Sequence, residues 1–131
     1  MTRLALPLLL GALWANSATA AQETDSYTYA TYFYCDVTQQ DRADEIVEKL
    51  DKPFYDAAVA DGSITAWGWM EHIVGGEYRR LSTMTAADVN SLMAARASIV
   101  AAMRDDPLAA TLDDICGSHA DYVWEIKFEK P

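Results

Sequence analysis

His72 is the histidine whose neighbours could give it work. It lies in an apolar, aromatic segment, Ile64 to Val74 (ITAWGWMEHIV), that reads as a strand. Folded back over Gly75-Gly76, this segment meets Glu77 to Thr85 as a two-residue hairpin. Arg79 then lies opposite His72 and disfavours the imidazolium, leaving a neutral ring able to accept a proton. Glu71 alternates to the other face, so it cannot orient that ring. The competing reading is a surface or satisfied core histidine. Trp67 and Trp69 flank Gly68 and could wall a flat apolar ligand, the missing side chain leaving room, or could be ordinary core or a dimer interface. Glu71 faces Arg80 as a cross-strand ion pair, or that pair binds a polar group of a ligand.

Cys35 and Cys116 are 81 positions apart, with no C-x-x-C and no histidine at ligand spacing. A disulfide fits them better than a metal site built with His119. The methionines are scattered over separate elements and read as core filling. There is no glycine-rich phosphate loop, nucleophile elbow or paired-carboxylate motif, so the sequence implies no cofactor and no metal.

These residues need elements to hold them. Tyr27 to Val37 (YTYATYFYCDV) reads as a first strand, with Phe33, Cys35 and Val37 on one face and Tyr32 and Tyr34 on the other. Thr38, with Asp41 three later, opens a helix carrying Ala43, Ile46, Val47 and Leu50 at helical spacing, which Pro53 interrupts. A second helical piece runs to Asp61-Gly62. In the hairpin, opposed positions pair Glu71 with Arg80. Trp67, Trp69, Glu71, Ile73, Tyr78 and Arg80 then share a face, and Met70, His72, Arg79 and Leu81 share the other. Thr85 caps the next helix, whose stripe is Val89, Leu92, Met93, Arg96, Ile99, Val100 and Met103, with Arg96 its one charged member. Pro107 starts a shorter helix ending at Cys116-Gly117, His119 follows in a turn, and Tyr122 to Phe128 is the last strand.

Residues 1–20 read as a secretory signal peptide: Arg3, an apolar run from Leu4 to Ala15, then Ala18-Thr19-Ala20 for cleavage. Residues 21–26 are a short leader, and residues 27–131 form one domain. The expected location is periplasmic or secreted, an oxidising setting that suits the disulfide. After cleavage no later segment is apolar enough to span a membrane. The mature chain carries nine Lys and Arg against twenty Asp and Glu, a formal charge of −11 that argues against a nucleic-acid partner.

The order is β-α-β-β-α-β, the ferredoxin-like arrangement of a four-stranded antiparallel sheet with two helices on one face, an α+β fold. It sets the first and last strands side by side, which brings Cys35 to Cys116. It also turns Tyr32 and Tyr34 onto the helix-free face. With those aromatics, joined by Trp67, Trp69 or Trp124, the chain resembles the dimeric α+β barrel superfamily. That resemblance implies a homodimer formed through the sheet face. It leaves function open between two readings. One is a non-catalytic exported domain that binds a small apolar ligand or a protein partner. The other is a cofactor-free monooxygenase- or isomerase-like enzyme with His72 as acid/base, Trp67 and Trp69 as pocket, and Arg79 or Arg80 holding an anionic substrate.

Overall fold

A computed structural model describes residues 26–128. Residues 1–20, read as a signal peptide, and most of the short leader lie outside the described residues. Four strands, β1 (Ser26–Tyr34), β2 (Ala66–Glu71), β3 (Arg80–Ala86) and β4 (Ser118–Ile126), form one sheet in the order β2-β3-β1-β4. Every neighbouring pair is antiparallel. This is the ferredoxin-like order that the sequence predicts. The hairpin register also matches, with Glu71 opposite Arg80 and Trp67 opposite Met84. Gly75 and Gly76 have φ of 81° and 63°, values that a side chain would resist. The strands stop short of this turn, however, so His72 and Arg79 lie beyond the ends of β2 and β3.

Four helices pack on one face: α1 (Gln40–Ile46), α2 (Lys52–Ala60), α3 (Val89–Met103) and α4 (Pro107–Ile115). Thr38 does not cap α1. Its backbone N–H and hydroxyl both donate to Asp36 Oδ1, and Gln39 takes the cap position without a side-chain bond. Thr85 does not cap α3 either. It sits in β3 with its hydroxyl 2.8 Å from that of Thr28, and Asp88 accepts from the Ser91 N–H in its place. Asp106 caps α4 through the Leu108 N–H, with Pro107 in the first turn.

Pro53 does not break the first helix. Between α1 and α2 the chain widens into a π turn at Val47–Asp51, where the Lys52 N–H reaches back five residues to the Val47 carbonyl. Proline lacks an N–H and crowds the carbonyl four residues back, and a wider turn absorbs both problems. The consequence is local: Asp51 falls at the end of this turn, on the side that lines a cavity.

The core comes in two parts. Ile64, Met84, Leu92, Ala95 and Ile99 make one cluster, and Ala43, Ile46, Leu50 and Ile115 join the two cysteines in the other. Met103 packs against both. Ile46, Ile64 and Leu92 are fully buried, each contributing about 1.5–3 kcal/mol of transfer free energy. Cys35 and Cys116 form the expected disulfide, clamping the chain just after β1 to the end of α4. Among the described residues, no helix is long and apolar enough to cross a membrane.

Candidate functional site

Met103 is the residue that touches both core clusters, which otherwise stay apart across the middle of the sheet. On the helix-facing side of β1 and β3 the opposed pair is Thr31 and Ser82, and Asp121 of β4 flanks Thr31. Across from these, α4 offers Ala109 and Ala110. Small and polar side chains at the centre of both layers leave a cavity of about 410 Å³. Its apolar walls are Phe33, Leu50, Trp69, Met84, Met103 and Leu112. That volume lies within the usual range for small-molecule sites.

Several polar groups enter the cavity, and they differ in how well they are partnered. Arg96 lies over the Tyr29 ring at 4.4 Å and pairs with Asp121 at 4.0 Å. Asp121 also meets His119 Nδ1 at 3.3 Å. Burial, then a hydrogen bond with Asp121, raises the pKa of the Tyr29 hydroxyl. Tyr55 stacks on Trp67 with centroids 5.2 Å apart, and burial raises its phenol.

Asp51 is the exception. Its Oδ1 is buried and has no hydrogen-bond partner. Burial, with the nearby negative charge of Asp113, pushes its carboxyl up to about 6. Buried polar atoms are almost always bonded, so an orphaned oxygen on a carboxylate that lines a cavity calls for an explanation.

The residues that the sequence singles out are dispersed. Trp69 reaches the cavity wall, and its indole N–H donates to Asp44 Oδ1 at 2.7 Å. Trp67 packs behind it against Tyr55, with its N–H on Asp56. Both lie on the helix side of the sheet and not on the open face. Gly68 points the other way: a Cβ there would meet Thr83 Oγ1 at 3.1 Å, so its missing side chain makes no room beside the indoles. Arg80 is 2% exposed and makes a bidentate pair with Asp44, at 2.7 and 2.8 Å. Its bond to Glu71 is the longer one, 3.4 Å. This pairing raises the Arg80 pKa and lowers that of Asp44.

His72 is half-buried beside a shallow depression at the hairpin end, near Tyr32, Met70, Tyr78 and Leu81. Its Nδ1 lies 2.7 Å from the Tyr78 carbonyl, which fixes that nitrogen as the donor. Arg79 does not line this depression; its backbone N–H closes on the Phe33 carbonyl. The structure therefore does not bring His72 and Arg79 into one enclosed pocket. Tyr78, expected beside Trp69, is on the opposite face. Its ring lies 4.5 Å from Tyr34 and 5.4 Å from Tyr32. Tyr122 and Trp124 continue this helix-free aromatic surface and are about half exposed.

Sequence reasoning missed Asp51, Tyr55, Asp113 and Asp121. Arg96 was the visible signal, a charge within an otherwise apolar helical stripe. Thr31 and Ser82 were a second, being small and polar on strand faces turned toward helices.

The sequence matches no protein-family model and no curated protein. Solved structures do match. A dimeric ferredoxin-like protein from an uncultured marine organism is 9% identical, with a TM-score of 0.64 over 83% of this chain and 93% of that one. A NIPSNAP family protein from Agrobacterium tumefaciens is 10% identical, with a TM-score of 0.60 over 76% and 90%. A protein of unknown function from Bacteroides thetaiotaomicron, described as a possible oxidoreductase, is 10% identical, with a TM-score of 0.55 over 79% and 99%. These likenesses establish a ferredoxin-like fold for this chain.

Proposed function

We propose that this protein binds a small, largely apolar molecule with one polar end in the cavity between sheet and helices. The observation that carries the reading is the orphaned Asp51 oxygen at the edge of an aromatic and aliphatic chamber. A ligand that supplies a hydrogen bond to the Asp51 carboxyl offsets its desolvation, while its apolar body displaces water from Phe33, Trp69 and Met103. We place the protein outside the cytoplasm, as a dimer joined through its helix-free face. The leader sequence and the buried disulfide support export. The exposed Tyr34, Met70, Tyr122 and Trp124, together with the dimeric description of the marine ferredoxin-like structure, support the dimer.

The test is uptake of Nile red, a neutral apolar dye, by the mature chain. Its emission should rise with the wild type and stay flat with Ala109→Phe, which fills the cavity. Trp124→Glu, on the other face, should leave uptake by each protomer intact. Equal emission from the wild type and Ala109→Phe would refute the cavity as the binding site.

A further inference from the structure

We propose that the polar end of the ligand is a protonated amine, seated against Asp51. The inference rests on the cavity being the binding site and adds the charge of what it binds. The groups that face Asp51 across the cavity come from every surrounding element. They are Tyr55 from α2, Arg96 from α3 with Arg104 just after it, Asp113 from α4, Tyr29 from β1, and His119 and Asp121 from β4. Arg96 is already committed, with Asp121 beside it and the Tyr29 ring beneath it. Arg104 is exposed at the rim. Among the described residues no cation is paired with Asp51, and the charge that acts on it is that of another carboxylate, Asp113. The chamber thus presents a desolvated negative end next to aromatic walls, a combination that suits an ammonium on a flat apolar body. An anionic ligand would meet two carboxylates at that end. The acidity of the whole chain, with a formal charge of −10, draws cations toward the opening as well.

The matched probes are tryptamine and tryptophol, which share an indole-ethyl body and differ in ending as an ammonium or a hydroxyl. Binding is followed by NMR titration of the mature chain. At pH 8, tryptamine should bind at least tenfold more tightly than tryptophol. That advantage should shrink as pH falls through about 6, where Asp51 takes up its proton while the amine stays charged. Asp51→Asn should abolish the difference between the two probes at every pH, whatever its effect on the affinity for tryptophol itself. Equal affinities at pH 8, or an advantage that survives Asp51→Asn, would overturn the amine assignment and leave the cavity reading standing. If neither probe shifts residues of the cavity, the cavity reading fails and takes this proposal with it.

Discussion

Asp51 has a cost that can be measured without any ligand. Its folded-state carboxyl titrates at about 6 and its ordinary value is 3.8, so the folded chain holds the proton more tightly than the unfolded one. Between those two values folding takes up a proton. Stability therefore falls as pH rises through this window and levels off above it. A shift of this size corresponds to about 2–3 kcal/mol. Asp51→Asn should stabilise the protein by up to that amount at pH 8 and change little near pH 3.5. Urea unfolding at the two pH values checks it, and a variant less stable at pH 8 would contradict the orphaned-carboxylate account. A stabilising substitution inside a cavity is what is expected where function has been favoured over stability. Asp44 has the opposite sign. Arg80 holds its carboxyl below the ordinary value, so that contribution is present at neutral pH and lost as acid protonates Asp44.

The elements were largely legible from local chemistry. Alternation and β-branched or aromatic residues marked four strands, and the paired glycines set a hairpin register that the structure reproduces. Other features depended on tertiary partners. β4 begins at Ser118, earlier than its aromatic run suggests, because Ser118 to Asp121 pair with Tyr34 to Thr31 of β1 whatever their own strand preference. Pro53 reads as a helix break, yet packing of Ile46 and Leu50 on one side and Ala58 on the other keeps the helix continuous through a π turn. The disulfide was legible from topology alone, since antiparallel β1 and β4 bring residues 35 and 116 together. It closes a loop of 81 residues, which the chain-entropy model values at about 4 kcal/mol. Replacing both cysteines by serine should lower the unfolding free energy by that order, read as a fall in the urea midpoint. An unchanged midpoint would mean that the clamp adds nothing. Next to it, Gly117 is required by close approach: a Cβ there would sit 2.6 Å from the Asp113 carbonyl oxygen.

At the scale of the whole molecule, the sheet has two different sides. The helix side holds the split core and the cavity. The open side carries a row of tyrosines with Met70 and Trp124, much of it exposed in the single chain. An apolar sheet face of this kind is a candidate interface, and in the proposed dimer a second copy would cover it symmetrically. Trp124→Glu should convert a dimer to a monomer in analytical ultracentrifugation, with the secondary structure intact. A wild type that sediments as a monomer at high concentration would remove the dimer from the account. The sequence made the aromatic side visible because bulky side chains alternate in strands. The cavity was hidden because it arises where small residues of distant segments, Thr31, Ser82 and Ala109, happen to face each other.

The most direct test is a chemical-shift map of the mature chain titrated with tryptophol, a neutral probe that makes no demand on the charge of the ligand. Perturbations should concentrate at Phe33, Asp51, Trp69, Met103 and Ala109, around the chamber between sheet and helices. Perturbations gathered instead on Tyr34, Tyr122 and Trp124, or spread without pattern, would contradict a binding site in the interior.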